Sequence, residues 1–219
     1  MGTLRWAHGV ASTLAVFWLG ASLAAEPISE EAVRGLQSWL DGTRDLTCRF
    51  EQSLDSGALG PGVPESGTML LRRPGRARWD YAEPERKIAI LDGENTRVYL
   101  PEDRQMIRGR LPAEGEAFHA LLTRGSRIEE SFVPSLVPVS GRKGERIRLR
   151  LVPRRPEQTF EAVVLDLDPS SFAILAAEVS DGAGNVIRYR FFDQRRNRGV
   201  REEAFHFQPP PGTEIVEAP

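Results

Sequence analysis

Short runs in which apolar and polar residues alternate, each closed by a turn signal, fill most of the chain after residue 45. Alternation with a period of two sends successive side chains to opposite faces of a β-strand. In the run 145–152, Ile147, Leu149 and Leu151 alternate with arginines, which predicts one covered face and one solvated face. A chain built mainly from such runs is expected to form a sheet.

The runs predict eleven strands. Between residues 67 and 109 no helix-length crossover separates one run from the next, so antiparallel pairing is expected there. Residues 181–185 contain two glycines and have the composition of a hairpin loop. One strand carries Cys48, Phe50, Gln52 and Leu54 on one side, and the other ten are predicted at 67–73, 76–82, 86–92, 95–101, 103–108, 145–152, 160–167, 173–180, 185–193 and 203–207.

Two or three short helices complete the pattern. Residues 29–41 have an apolar face at helical spacing and a capping serine, Ser29. Residues 113–124 predict a second amphipathic helix, and a further turn is possible at 126–132 before Pro134. Because a sheet of about ten or more antiparallel strands must curl, we expect a mostly β (α+β) fold: an unclosed antiparallel β-barrel with a helical lid over its concave apolar face.

The first 25 residues have the features of a secretory signal peptide. Arg5 supplies the positive charge, residues 10–19 are mostly apolar, and residues 22–24 offer a small-x-small cleavage site. We therefore expect a signal peptide at 1–25 and a single domain at 26–219 that is soluble outside the cytoplasm. No cysteine stands at the cleavage site to accept a lipid, and the one cysteine, Cys48, is expected to be buried as a small apolar side chain.

Charge and motifs argue against several functions. The formal net charge is −2, which excludes a strongly cationic, nucleic-acid-binding design. Neither His119 nor His206 has a second ligand at metal spacing, and both are expected at the surface. Asp166 and Asp168 precede a turn and are interpreted as capping acids, and we find no nucleophile elbow, phosphate loop or dinucleotide motif. We predict a binding protein without metal or cofactor, not an enzyme.

Three segments carry a family resemblance. They are residues 67–81, continued by Pro84, Ile90 and Asp92-Gly93; the C-terminal run Phe205-x-Phe207-x-Pro209-Pro210-x-Gly212; and Phe50-x-Gln52. Together they resemble the periplasmic outer-membrane lipoprotein carrier family, LolA. The resemblance implies a half-barrel that takes acylated lipoproteins from an inner-membrane ABC transporter to an outer-membrane receptor. We expect such a shuttle to be a monomer.

The resemblance also implies roles for individual residues. Alternation places Arg73 on the same face as Met69 and Leu71, and the matching arginine in the family bonds to the lid and keeps it shut. The alternative is that Arg73 fixes the turn at Pro74-Gly75. The other candidates for an acyl-chain cavity, each equally compatible with ordinary packing, are Trp79, Ile88, Ile90, Val98, Leu100, Phe118, Leu121 and Leu122.

Two other functions stay open. One is a lipid-binding sensor or regulatory domain of the same fold, although about 195 residues leave no room for the second domain that such sensors carry. The other is a carrier of a different periplasmic lipid. It stays open because Ala77 stands where many family members have a phenylalanine.

Overall fold

One large sheet organises the chain in the computed structural model, which describes residues 26–93, 95–110, 119, 121–123, 125, 127–139, 146–155 and 160–218. The predicted signal peptide lies outside these residues. The described strands are β1 (Asp45–Ser56), β2 (Gly60–Pro61), β3 (Glu65–Arg72), β4 (Arg76–Glu83), β5 (Lys87–Asp92), β6 (Asn95–Leu100), β7 (Gln105–Arg110), β8 (Phe132–Leu136), β9 (Ile147–Pro153), β10 (Phe160–Leu167), β11 (Ile174–Asp181), β12 (Val186–Arg196) and β13 (Glu214–Glu217).

The strand order is β13-β7-β6-β5-β4-β3-β1-β12-β11-β10-β9-β8, with β2 paired to β1. All neighbours are antiparallel except β13, which runs parallel to β7. Because β13 and β8 form the two ends of this order and do not pair, the described sheet is unclosed. This confirms the predicted fold class, an open antiparallel barrel.

One predicted strand was wrong, and the three strands β2, β8 and β13 were not predicted. Residues 203–207 do not form a strand, because Glu202–Phe205 is a short 3₁₀ helix. Strand β8 contains Pro134, which is tolerated because β8 is an edge strand with a neighbour only on one side. Strands β2 and β13 were not predicted; β2 has two residues and β13 has four, so neither produces a periodic signal.

Helix α1 (Glu26–Asp41) covers one face of the sheet. It begins at Glu26, before the predicted start at Ser29. Its end agrees with the prediction, since the Gly42 N–H donates to the Ser38 carbonyl at 2.9 Å. Its buried stripe is Ala32, Val33, Leu36, Trp39 and Leu40, none more than 5% exposed.

The inner face of the sheet, which α1 covers, contains the main core. Phe50, Leu149 and Leu151 are at most 1% exposed and belong to one apolar cluster with the α1 stripe. Helix α2 (Ile128–Ser131) adds Ile128 to the same cluster. Each large apolar side chain buried in this way stabilises the fold by about 1.5–3 kcal/mol. Cys48 is also buried there, as predicted, and burial raises the pKa of its thiol to about 12.

The outer face is divided into two halves. On β5, β6 and β7 it is mainly apolar but includes Arg97, and the 3₁₀ helix and the residues after it pack against it; we call this the apolar half. Its most buried members are Ile90, Tyr99, Met106 and Phe205. On β1 and β9–β12 the outer face carries paired arginines and acids, and we call it the charged half. Among the described residues, no helix is both long and apolar enough to cross a membrane.

Candidate functional site

The inner face of β3 and β4 brings three of the predicted cavity residues together. Met69 pairs with Trp79 and Leu71 pairs with Ala77 in the antiparallel register. Met69 and Leu71 are 2% exposed and Trp79 is 8% exposed, all within the main core. Ala77 is completely buried beside Leu71, so the position at which the family often has phenylalanine belongs to this inner surface.

An apolar cavity of about 290 Å³ lies beside Trp79. Cross-strand pairing continues from Trp79 to Ala89, then to Val98 and Ile107, so one row of side chains crosses four strands on the inner face. Val98 belongs to this row and lines the cavity. The residues that line the cavity are Trp79, Tyr81, Ala89, Ile90, Leu91, Thr96, Val98, Ile107, Arg110, His119, Tyr189 and Ala218.

Ile88 and Ile90 have the opposite orientation from the row that contains Trp79. Ile88 pairs with Tyr99, and Ile90 pairs with Arg78 and Arg97, so both side chains belong to the outer face. Ile90 is also among the residues that line the cavity, although its pairing assigns its side chain to the outer face. These two residues are therefore removed from the set of inner-face candidates.

The remaining candidates are divided between the sheet and its cover. Leu100 has the same strand parity as Val98 and is partly buried, but it does not line the cavity. His119 and residues 121–123 are helical, in agreement with the prediction, and we call them the capping segment. Leu121 and Leu122 are 2% and 5% exposed and join the main core. Phe118 lies outside the described residues.

Arg73 connects the sheet to the capping segment. Its Nε donates to the Leu122 carbonyl at 2.7 Å, its Nη1 to the Leu40 carbonyl at 2.6 Å, and its Nη2 to the Leu121 carbonyl at 3.2 Å. All three acceptors belong to α1 or the capping segment and not to the turn that follows Arg73. We call α1, the capping segment and α2 together the helical cover. The turn makes its own contact, because the Gly75 N–H donates to the Thr123 carbonyl at 3.1 Å.

The guanidinium of Arg73 is partly buried and therefore only partly hydrated. Burial lowers the pKa of the Arg73 guanidinium, and the nearby carboxylate of Asp41 opposes this effect. A partly buried guanidinium is costly unless its donors are satisfied. Here the acceptors are neutral carbonyls, which satisfy the donors but do not neutralise the charge.

Several cavity residues were not among the predictions. Tyr81 donates its hydroxyl hydrogen to the Gln52 Oε1 at 2.9 Å, and burial raises the pKa of both Tyr81 and Tyr189. Counting in steps of two from Trp79 along β4 would have found Tyr81, which shares its face. Tyr189 comes from a distant strand, and only the fold brings it near Tyr81.

His119 was predicted at the surface, and this was wrong. Its ring packs edge-on against Trp79, with ring centres 4.9 Å apart, and its Nδ1 is fully buried. Burial lowers the pKa of His119 to about 4, so the imidazole is neutral at physiological pH. A neutral ring beside an indole extends the apolar surface of the cavity.

The surface of this cavity is mainly apolar. Among the described residues there is no group of three or more His, Cys, Asp or Glu side chains that could hold a metal ion. Apolar walls bind apolar chains without directional bonds, so they can accept cargo of varied structure.

Comparisons with known proteins agree with this geometry. Residues 41–208 match the family described as outer membrane lipoprotein carrier protein LolA. Outer-membrane lipoprotein carrier proteins of Chromobacterium violaceum and Pseudomonas aeruginosa are similar to the chain. The first is 28% identical over 199 residues, covering 90% of this chain and 93% of the relative. The second is 30% identical over 207 residues, covering 93% and 96%.

A solved structure supports the fold. An uncharacterised conserved protein from Thermus thermophilus superposes with a TM-score of 0.52. The match covers 87% of this chain and 99% of that protein at 13% sequence identity, so it speaks only for the arrangement of the strands and helices.

Proposed function

The chain belongs to the outer membrane lipoprotein carrier family, LolA, and from this premise we propose that it is a periplasmic chaperone for acylated lipoproteins. It binds their acyl chains between the inner face of the sheet and the helical cover. Members of this family are carriers and not enzymes. The observation that carries the proposal is the apolar cavity between Trp79 and the capping segment.

The energetics of acyl chains explain the need for a carrier. Burying an acyl chain of roughly 16 carbons is worth on the order of 12 kcal/mol, at about 0.8 kcal/mol per methylene. A lipoprotein therefore does not cross an aqueous compartment unaided. The cavity of about 290 Å³ is small beside the roughly 300–1,000 Å³ of common ligand pockets, so cargo requires the cover to move outward.

Arg73 is proposed to be the latch of this cover. Its three hydrogen bonds to Leu40, Leu121 and Leu122 carbonyls stabilise the closed state. Because the donor is charged, each bond contributes about 1.5–3 kcal/mol, so the three together are weaker than the burial of one complete acyl chain. Cargo can therefore open the cover, and the cost of opening lowers the net affinity enough for release.

The proposal includes two partners and a monomeric, soluble carrier. The carrier receives lipoproteins from an inner-membrane lipoprotein-releasing ABC transporter and delivers them to an outer-membrane lipoprotein receptor. These assignments come from the family. The opposed demands of uptake and delivery are consistent with a weakly latched cover.

The first test is binding of a triacylated lipopeptide, measured by native mass spectrometry beside the same peptide without acyl chains. We expect a one-to-one complex only with the acylated peptide. Absence of a complex with either peptide would contradict the proposed function. It would direct the search to other periplasmic lipids.

The latch is tested separately with Arg73→Leu. Loss of the three carbonyl bonds should preserve uptake of the lipopeptide but weaken its transfer to the receptor. Arg127→Leu is a matched control, because Arg127 is an exposed arginine on the helical cover that pairs only weakly with Glu130 at 3.8 Å. Unchanged transfer by Arg73→Leu would refute the latch.

A further inference from the structure

A second pocket, of about 770 Å³, lies at the end of the sheet that carries Arg73. It is enclosed by residues 41–45, the end of β3 and the loop 197–201. Arg73 and Thr123 also line it, so it adjoins the contact between the sheet and the capping segment. We call it the arginine pocket.

Ordered backbone contacts build this pocket. Asn197 accepts a hydrogen bond from the Arg44 N–H and donates one to the Gly42 carbonyl, both at 2.8 Å. The buried carboxylate of Asp45 accepts hydrogen bonds from the Arg198 and Gly199 N–H groups. The loop 197–201 is thereby fixed against the residues after α1, with defined positions for the arginines that it carries.

The pocket is positively charged although the whole chain has a net charge of −2. It contains the five arginines Arg44, Arg72, Arg73, Arg198 and Arg201, and two aspartates. The carboxylate of one of the aspartates, Asp45, already accepts hydrogen bonds from the loop backbone. Arg44 and Arg198 are exposed, and within the described part of the chain neither guanidinium forms a hydrogen bond or ion pair.

We propose that the arginine pocket is a docking site for an acidic segment of a partner protein. Arg44 and Arg198 would attract its carboxylates at the rim, and Arg73 would meet a carboxylate inside. Several arginines spread around a pocket of this volume suit a segment with several carboxylates better than one compact anion.

Docking would weaken the contacts of the Arg73 latch; this step rests on the proposed function. A carboxylate adds the attraction between opposite charges to the hydrogen bonds of the guanidinium, whereas the Leu121 and Leu122 carbonyls are neutral acceptors. A carboxylate that reaches Arg73 therefore competes with the Leu121 and Leu122 carbonyls and frees the capping segment. Because coupling between sites is reciprocal, bound cargo would in turn strengthen docking.

The test uses hexaglutamate as the probe and hexaglutamine as its control, with the purified protein and no lipid. Binding is measured by calorimetry, and hydrogen exchange is followed at the Leu122 and Thr123 amides. We expect hexaglutamate to bind and to accelerate this exchange. The double variant Arg44→Ser/Arg198→Ser should weaken binding by about tenfold. The double variant Arg86→Ser/Arg155→Ser makes the same charge change at exposed arginines elsewhere and should leave the affinity unchanged.

Three results would overturn the proposal: no binding of hexaglutamate at millimolar concentration, equal weakening in both double variants, or binding without faster exchange. Inorganic phosphate and phosphatidylglycerol vesicles are included as competitors. If either displaces hexaglutamate or binds in its place at lower concentration, the pocket recognises phosphate and not an acidic protein segment. The arms with hexaglutamate, hexaglutamine and inorganic phosphate contain no lipid, so their results are independent of lipopeptide binding.

Discussion

The two halves of the outer face differ in what covers them. In the apolar half, the C-terminal segment lies over β5–β7, and Tyr99 packs against Phe207 with ring centres 5.0 Å apart. In the charged half, partly exposed arginines pair with acids across the strands: Arg150 with Glu161 at 3.4 Å and Arg190 with Glu51 at 3.6 Å. One half is therefore a second small core, while the other is a solvated surface.

Because of this difference, substitutions in the two halves of the outer face should lower the free energy of unfolding by different amounts. Phe205→Ala should destabilise the protein by about 3–5 kcal/mol, because a phenylalanine that is 1% exposed leaves a cavity under the C-terminal segment. The free energy of unfolding is measured by urea denaturation. His206→Ala, at the exposed neighbouring position, is the control and should change it by less than about 0.5 kcal/mol. A similar small loss for Phe205→Ala would mean that the apolar half is not a core.

The same comparison explains what the sequence could reveal. In β9 and β12 the arginines alternate with apolar residues, so the contrast between faces is strong and Leu149 and Leu151 were assigned correctly. In β5 the residues Ile88, Ala89, Ile90 and Leu91 are all apolar. Period-two alternation therefore divides these residues between two faces but does not show which face is the inner one. The C-terminal segment, which packs on the side of Ile90, shows that this side is the outer face.

The polar contacts of the site were harder to predict from the sequence. The acceptors of Arg73 are backbone carbonyls, which every residue has, so the sequence contains no signature of its partners; the family resemblance supplied the role. The arginine pocket joins residues that are about 150 positions apart, such as Arg44 and Asn197, and no local pattern links them. Phe205 and Phe207 alternate like strand residues, yet no strand pairs with them in the described sheet.

A second prediction compares the faces of the sheet within the meander. Ile90→Ala and Leu71→Ala should each lower the free energy of unfolding by about 2–5 kcal/mol, because both side chains are 2% exposed. Only Leu71→Ala should weaken lipopeptide binding, since Leu71 faces the cover and Ile90 faces the C-terminal segment. Both affinities are measured under conditions in which each variant remains folded. Equal loss of affinity in the two variants would show that the outer face also contributes to binding.

A third prediction concerns His119, a titratable residue that packs against Trp79 on the inner face. The pKa of His119 is lowered from 6.5 to about 4 by burial, so the unfolded chain takes up a proton more readily than the folded protein. The stability associated with the neutral ring is complete above pH 6.5 and is lost as the pH falls towards 4, by up to about 3 kcal/mol.

Urea denaturation at pH 7 and pH 4.5 measures this loss. His119→Gln should reduce the difference between the two pH values, whereas the matched variant His206→Gln, at an exposed position, should leave it unchanged. An unaltered difference in His119→Gln would show that other groups cause the acid sensitivity.

The smallest effect is expected in the charged half. Glu178 pairs with Arg148, which also lies 3.6 Å from Asp166, and both side chains of the Arg148–Glu178 pair are about one third exposed or less. Glu178→Gln should cost about 0.2–1 kcal/mol at low salt and less at 1 M salt, because solvent screens a pair at the surface. Unfolding in urea at the two salt concentrations measures both values. Since urea is uncharged, it does not itself screen the pair. A loss above 2 kcal/mol that persists at high salt would mean that the charged half is as closely packed as the apolar half, and the distinction between them would fail.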